Sequence, residues 1–159
     1  MRLIVMHVAE NPSAESVAAD FSTTTRQSSA HLVVDDDMCF RCLANDEIPM
    51  AAPGANTVGF HIEQAGFAAW TAADWDAHLD TIKRAAYKAA YHCKHFGIPV
   101  TWLEAAELEA NASGISDHFL VNQMAKRLML AGDHSHTCPG TTWPRKTFMK
   151  WTRHYHETL

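Results

Sequence analysis

The chain has 159 residues, of which 47% are hydrophobic and 19% are charged. This length and composition are typical of one globular domain with a buried core, and no run approaches the roughly 20 apolar residues of a membrane-spanning helix. The formal net charge of −5 argues against a broad nucleic-acid-binding surface, which needs an excess of Lys and Arg. We therefore expect neither a nucleic acid nor a membrane as a partner.

The apolar pattern in the first half of the chain predicts a β-sheet with one helix. A run of four apolar residues predicts a buried strand, and the alternation around Phe60 predicts another. Three consecutive aspartates, from Asp35 to Asp37, predict the turn of an antiparallel hairpin. Strands are expected over residues 3–6, 31–34, 38–43 and 58–63, a helix over residues 13–21, and loops over residues 22–29 and 49–56.

The clearest helix of the sequence is predicted between Thr71 and Phe96. Its start is like a capping box, its apolar residues recur at steps of three and four, and Gly97 followed by Pro99 ends it. A short strand is expected over residues 100–102, a loop over residues 111–114, and helices over residues 103–110, 118–130 and 144–155. Interleaved strands and helices indicate an α/β fold, with a central mixed β-sheet flanked by helices in a single domain over residues 1–159.

The segment from Asp133 to Gly140 places two imidazoles and a thiol within five residues. His134, His136 and Cys138 are of the residue types that zinc prefers as ligands. In an extended chain, however, residues four apart lie about 13 Å from each other, too far for His134 and Cys138 to bind one ion together. We therefore expect the other ligands of any metal site here to come from distant parts of the chain.

Three further polar residues stand at predicted ends of strands or starts of helices. His7 follows the first buried strand, and ligands in open α/β sheets bind at the carboxyl ends of strands. Glu63 ends another strand, where burial would raise its pKa toward that of a general base. His118 follows Asp117, which is either a helix cap or a partner that orients its neighbour. The plain alternatives are a strand-capping histidine for His7 and a solvated rim carboxylate for Glu63.

Six short motifs, in this order and spacing, resemble those of zinc-dependent N-acetylmuramoyl-L-alanine amidases. The motifs are IVMH (4–7), SAHLVVD (29–35), PGAN (53–56), FHIE (60–63), GISDH (114–118) and HTCPG (136–140). This family includes the amidase-type phage lysozymes and shares its fold with the peptidoglycan-recognition proteins. The resemblance extends from about residue 2 to residue 151, and this variant looks like the amidase domain of endolysins from phages of actinobacteria.

The resemblance implies a catalytic site with one zinc ion. His7, His118 and Cys138 match the three metal ligands of the family, and water would take the fourth position. Glu63 matches the catalytic glutamate, which acts as general base. His136 matches the position of the residue that stabilises the oxyanion, where many members have lysine and others histidine.

Two positions are expected, by the same resemblance, to bind substrate: His31 and Asn56. The chain departs from the family pattern nearby. Met50 and Ala51 stand where many members have a substrate-lining histidine, and Ala30 stands where some have a catalytic tyrosine. These departures concern the substrate contacts more than the reaction.

The reaction implied is hydrolysis of the amide between N-acetylmuramic acid and L-alanine in bacterial peptidoglycan, which lyses the cell wall. One alternative is a non-catalytic peptidoglycan-binding module of the same fold. A second is an unrelated zinc hydrolase acting on another amide. A third is an enzyme that uses Cys138 as its nucleophile with His136 as the base.

The amino-terminal apolar run is too short for a signal peptide and lacks a cleavage site. We therefore do not expect export by an amino-terminal signal of its own. If the protein is a phage lysin, as the resemblance implies, it would be made in the host cytoplasm and act on the wall after release. It would be a monomer, and either a stand-alone lysin or the catalytic domain of a longer endolysin.

Overall fold

A five-stranded mixed β-sheet forms the frame of the computed structural model, which describes residues 1–23 and 27–159. Part of the predicted loop over residues 22–29 therefore lies outside the described residues. In chain order the strands are β1 (Leu3–Val8), β2 (Leu32–Val34), β3 (Cys39–Arg41), β4 (Gly59–Gln64) and β5 (Gly114–Asp117). Their order across the sheet is β3-β2-β4-β1-β5, and only the β2–β3 hairpin pairs antiparallel. The predicted α/β class with a mixed sheet is confirmed.

Helices flank this sheet. In the described part of the chain they are α1 (Ala14–Phe21), α2 (Ala72–Ala77), α3 (Leu79–Phe96), α4 (Ala105–Glu109), α5 (His118–Arg127) and α6 (Arg145–Thr158). None of the helices in this part is long and apolar enough to cross a lipid bilayer. The predicted helices at residues 13–21, 103–110, 118–130 and 144–155 are thus present, with ends shifted by at most three residues.

Strand β1 is buried along its whole length, and its side chains alternate between two hydrophobic cores. Ile4 and Met6 pack in the larger core with residues of α3 and α6, whereas Leu3 and Val5 pack in the second core with residues of α5. A parallel strand that is covered on both faces is expected to be continuously apolar, as this one is. Its place in the middle of two cores fixes the position of the residues at its carboxyl end.

The predicted long helix between Thr71 and Phe96 is two helices, because the backbone leaves the helical conformation at His78 (φ −112°, ψ 37°). The new amino terminus of α3 is capped from a distance. Asp36, in the turn between β2 and β3, accepts hydrogen bonds of 2.8 Å from both the backbone N–H and the hydroxyl of Thr81. It also lies 2.5 Å from Nδ1 of His78. Apolar periodicity carries no information about such a long-range cap. The capping box at Thr71 is present as predicted.

The edge of the sheet beyond β1 differs from the sequence-based expectation. Residues 114–117 form β5, although a loop followed by a helix start was expected there, and the predicted strand at 100–102 is a single bridge from Trp102 to Ile115. Gly, Ser and Asp are depleted in strands, so the local sequence of β5 gives little strand signal. Pairing with β1, from Leu3 opposite Gly114 to Met6 opposite Asp117, holds this segment extended.

Removing the distant cap of α3 should destabilise the protein. We expect Asp36→Ala to lower the free energy of unfolding by about 0.5–2 kcal/mol, the usual cost of losing a helix N-cap. Urea denaturation at pH 7 measures this difference. The exposed Asp37, changed to Ala, is the matched control and should have little effect.

The effect of Asp36→Ala should also depend on pH. Burial by itself would raise the pKa of Asp36, but hydrogen bonds from His78 and Thr81 outweigh it and hold the pKa below its usual value. A group with a lowered pKa in the folded state stabilises the protein above its unfolded pKa, and this contribution is lost as pH falls through the folded value. The difference between wild type and variant should therefore shrink below about pH 4. A difference that stayed constant down to pH 2 would contradict the cap.

Candidate metal centre and cleft

The carboxyl ends of β1 and β4 place His7 and Glu63 side by side. The two strands are parallel, and their register pairs His7 with Glu63. Nδ1 of His7 lies 3.9 Å from Oε1 of Glu63. The side chain of His7 is 2% exposed and that of Glu63 is 14% exposed, so the carboxylate keeps access to solvent beside a buried imidazole.

His118 reaches the same edge of the sheet because β5 passes directly into α5. Asp117 is the N-cap of this helix, and its carboxylate accepts a hydrogen bond of 2.8 Å from the backbone N–H of Leu120. Burial raises the pKa of Asp117 to about 6. The capping alternative for Asp117 is thus the one that the structure shows. It sets the first residue of α5, His118, with its ring centroid 4.8 Å from that of His7.

Cys138 lies in the connection between α5 and α6 and is held against the end of β1. Its Sγ accepts a hydrogen bond of 3.0 Å from the backbone N–H of Val8. The turn that carries it is tightened by a hydrogen bond of 2.8 Å from the N–H of Gly140 to the carbonyl of Thr137. Gly140 has φ +97°, and a Cβ there would collide with the backbone carbonyl of Ala68. Only glycine fits this close approach.

These three residues form a cluster of metal-ligating atoms. One ligand atom from each of His7, His118 and Cys138 lies within 4.8 Å of the others. His134, the other imidazole of the original segment, donates from Nε2 to the carbonyl oxygen of Leu130, 3.0 Å away, and is not in this cluster. The fold therefore brings His7 and His118, from distant parts of the chain, next to Cys138.

The electrostatics of the cluster fit a zinc ion. Burial, together with the neighbouring imidazoles, lowers the pKa of His7 well below its usual value and that of His118 to about 4, which keeps both rings neutral. Burial, reinforced by Glu63, raises the pKa of the Cys138 thiol. A bound cation reverses this last preference, since a coordinating thiol is deprotonated outright. Two neutral imidazoles and one thiolate, with a fourth position for water, are a ligand set of catalytic zinc.

One ring nitrogen of His118 supports the same conclusion. Its Nε2 is buried and has no hydrogen-bond partner within the described ranges. Leaving a buried polar atom unpaired costs about 1–3 kcal/mol. A bound ion or its water would give this nitrogen the polar partner that it lacks.

A cleft of about 740 Å³ opens over the cluster. This volume falls in the range of about 300–1,000 Å³ that is typical of ligand pockets. The residues that sequence analysis assigned to metal binding and catalysis all line it: His7, Glu63, His118, His136 and Cys138. The remaining lining comes from α1, from the end of β1 with Glu10, and from the segments at residues 28–29, 50–51, 68–69 and 135–137.

His136 lies at the mouth of the cleft. Its side chain is 57% exposed and its Nε2 lies 3.7 Å from a carboxylate oxygen of Asp133. Its ring stacks on that of His118, with centroids 5.3 Å apart. Asn122 of α5 holds its backbone by a hydrogen bond of 3.0 Å to the carbonyl oxygen. The side chain thus lies at the cleft against His118, and its backbone is fixed from α5.

The two residues expected to bind substrate do not line the described part of the cleft. His31 is fully buried; its Nδ1 accepts a hydrogen bond of 3.0 Å from the backbone N–H of His61, and its Nε2 lies 3.2 Å from the carbonyl oxygen of Glu47. Asn56 accepts hydrogen bonds of 3.1 Å and 2.7 Å from the backbone N–H groups of Ala51 and Ala52. Both positions support the site from behind, Asn56 by fixing the wall at Ala51.

The residue that sequence analysis left without a role is His61. It lies two residues before Glu63 on β4, and its Nδ1 is 2.9 Å from Nε2 of His7. The alternation of β4 was the available signal, since residues two apart share a face. The contact to β1 depends on the register of two strands more than 50 residues apart in sequence.

Comparison with known proteins agrees with this geometry. A family model described as N-acetylmuramoyl-L-alanine amidase matches residues 1–141. No curated protein matches the sequence at a significant level. Among solved structures, the hydrolase AmiA of Staphylococcus aureus in complex with its ligand is similar, with a TM-score of 0.68, 16% identity, and coverage of 97% of this chain and 72% of that chain.

Two further solved structures have the same fold. The N-acetylmuramoyl-L-alanine amidase LysC of Clostridium intestinale matches with a TM-score of 0.56 and 14% identity, covering 94% of this chain and 83% of that chain. The endolysin of the Thermus scotoductus bacteriophage Ph2119 matches with a TM-score of 0.51 and 20% identity, covering 95% and 84%. At these low sequence identities, the structural similarity is evidence for a shared fold alone.

Removing the thiol from the cluster should abolish tight zinc binding. We expect Cys138→Ser to weaken zinc affinity by more than the roughly 10–100-fold typical of losing a residue that only supports a ligand. Competition with a chromophoric chelator measures the affinity. Cys42→Ser removes a thiol outside the cluster and should bind zinc like the wild type. Equal affinity of both variants would exclude Cys138 as a ligand.

Proposed function

Because the chain belongs to the N-acetylmuramoyl-L-alanine amidase family, we propose that it is a zinc-dependent enzyme that hydrolyses the amide between N-acetylmuramic acid and L-alanine of peptidoglycan. The observation that carries this proposal is the convergence of His7, His118 and Cys138 beside Glu63 in one cleft. Cutting this amide separates the stem peptide from the glycan and weakens the wall. We accordingly propose a lytic, endolysin-like role on the bacterial wall, with this domain as the catalytic unit.

The metal site would be built by three side chains with complementary tasks. His7 and His118 offer neutral nitrogen lone pairs, and Cys138 offers a thiolate that neutralises part of the ionic charge. When bound, zinc lowers the pKa of its water from 15.7 toward about 7 and polarises the carbonyl under attack. The backbone N–H of Val8, which donates to Sγ of Cys138, would hold the thiolate in position.

Glu63 is the proposed general base. Its carboxylate lies 3.9 Å from the ring of His7, so it stands beside the proposed metal position without being one of the clustered ligand atoms. It would accept a proton from the attacking water and return it to the nitrogen of the leaving L-alanine. Partial exposure leaves it accessible to both groups. General acid–base catalysis of this kind contributes about 10²–10⁴-fold.

His136 is the proposed oxyanion donor. Its ring lies at the mouth of the cleft against His118, so an N–H from it would reach the oxygen that gains charge when water adds to the carbonyl. Such donors act without reorganisation because the surrounding protein holds them in place. The backbone hydrogen bond from Asn122 supplies part of that fixation.

The cysteine-nucleophile alternative is disfavoured by the surroundings of Cys138. Reactive cysteines have a lowered pKa in an electropositive site. Here burial and the nearby Glu63 raise the pKa of the thiol. A non-catalytic binding module is disfavoured because the three ligand positions and the glutamate are all present in the cleft.

The proposed reaction has a distinctive product. Purified peptidoglycan treated with the zinc-loaded protein should gain free amino termini of L-alanine, without new reducing sugar ends. Glu63→Gln, which keeps the size of the side chain, should lower this rate by about 10²–10⁴-fold while zinc affinity is retained. Release of other termini would identify a different hydrolase, and binding of peptidoglycan without any cleavage would identify a recognition module.

The role of His136 can be separated from metal binding. We expect His136→Ala to lower kcat by about 10²–10³-fold, as loss of one oxyanion donor does elsewhere, with zinc affinity unchanged. His136→Lys places another hydrogen-bond donor at this position and should retain most of the activity. His156→Ala on α6 is the control for removing a histidine outside the cleft. Wild-type turnover in His136→Ala would remove this residue from the mechanism.

A further inference from the structure

Behind the proposed zinc site, three buried histidines are connected by hydrogen bonds. His7, His61 and His31 are each 0–1% exposed. Nε2 of His7 lies 2.9 Å from Nδ1 of His61, and Nε2 of His61 lies 3.4 Å from the carbonyl oxygen of Ala55. On the other side, the backbone N–H of His61 donates to Nδ1 of His31 over 3.0 Å. This series of hydrogen bonds begins at His7, a proposed metal ligand, and ends at the backbone carbonyls of Ala55 and Glu47.

The direction of the hydrogen bonds follows from the carbonyl of Ala55. A carbonyl oxygen only accepts, so Nε2 of His61 carries the hydrogen. A neutral imidazole has one donor and one acceptor, so Nδ1 of His61 then accepts. Nε2 of His7 must therefore donate to it. This leaves the lone pair of His7 on Nδ1, the nitrogen that faces Glu63 at 3.9 Å.

The opposite arrangement is unfavourable at both ends. If His7 carried its hydrogen on Nδ1, its Nε2 lone pair would face the lone pair of His61 at 2.9 Å. Turning His61 to its other tautomer would remove that clash but place its Nε2 lone pair against the oxygen of Ala55. The Nδ1 hydrogen of His7 would also gain nothing, because Oε1 of Glu63 at 3.9 Å is beyond hydrogen-bond distance.

The surrounding backbone holds the ring of His61 between His7 and the carbonyl of Ala55. The carbonyl of Ala55 is fixed by the turn before β4, since it also accepts hydrogen bonds of 3.1 Å and 2.8 Å from the N–H groups of Val58 and Gly59. A Cβ at Gly59 would lie 2.7 Å from Nε2 of His61, so a glycine leaves room for the ring. The backbone bond to His31 fixes the strand at the same residue.

We infer that His61 is a positioning residue that fixes the tautomer of His7, so that Nδ1 of His7 is the nitrogen presented to the metal. The inference rests on the proposed zinc site for its consequence, but the tautomer itself belongs to the metal-free protein. A partner that donates to or accepts from the second nitrogen of a ligating histidine sets both its orientation and its tautomer. His61 acts through His7 and does not touch substrate.

The tautomer is measurable without any metal. Long-range ¹⁵N–¹H correlation spectra of the metal-free protein, with ¹⁵N-labelled histidines, report which ring nitrogen carries the hydrogen. We expect His7 and His61 both to be protonated at Nε2. Protonation of His7 at Nδ1, or averaging between its two tautomers, would overturn the inference.

Two variants of the same size test the consequence for metal binding. His61→Asn places an amide oxygen near the former Nδ1 and can still accept from His7, whereas His61→Leu cannot. We expect His61→Leu to weaken zinc affinity by about 10–100-fold, as loss of such a partner commonly does, and His61→Asn to recover most of that loss. Equal affinity of the two variants would contradict the inference, because plain packing does not distinguish an acceptor from a methyl group.

The outcomes separate this inference from the proposed function. A wild type that binds zinc and cleaves peptidoglycan, with His61→Leu indistinguishable from it, refutes the role of His61 alone. A wild type that binds no zinc refutes the proposed metal enzyme, while the tautomer spectra still decide the state of His7. If His61→Leu does not fold, as thermal unfolding would show, the spectra of the wild type and of His61→Asn decide.

Discussion

The parallel pairing of β1 with its two neighbours is the constraint on which the site depends. In register with β4 it places His7 beside Glu63, and in register with β5 it places Met6 beside Asp117, one residue before His118. Parallel strands end at the same edge of a sheet, so residues more than 100 positions apart converge there. A slip by one residue would turn His7 away from the cleft, since successive side chains point to opposite faces.

Burial sets the protonation states of the residues at this edge of the sheet. The same desolvation lowers the pKa of the two histidines and raises that of Cys138, so the cluster carries little charge by itself. A buried neutral cluster of two imidazoles and a thiol is well suited to a divalent ion, which repays the cost of ionising the thiol. Glu63 and His136, the residues proposed for proton transfer and for stabilising charge in the substrate, keep contact with solvent.

Several residues outside the cluster fix the positions of its members and of the cleft walls. Asp117 ends β5 and starts α5 at one residue, and Gly140 lets the loop of Cys138 approach the backbone of Ala68. Asn56 fixes a wall of the cleft. Behind the metal position, hydrogen bonds through His61 reach a rigid carbonyl. The residues that would contact the reacting atoms are few, and most of the precision comes from backbone groups around them.

The sequence by itself determined the α/β class and most of the elements, because apolar periodicity and caps are local signals, and its six motifs supplied the candidate ligands through their resemblance to a known family. It predicted the strand that carries Glu63 and the glycine stop after α3. It missed the break at His78 and the strand β5, which depend on Asp36 and on pairing with β1.

Only the tertiary structure decided which partners the eleven histidines meet. It separated His134 from the cluster, placed His31 and Asn56 behind the cleft, and brought His61 against His7. The physical reason is that a residue type specifies which bonds a side chain can make, whereas strand register and burial specify which partners it meets and in which protonation state.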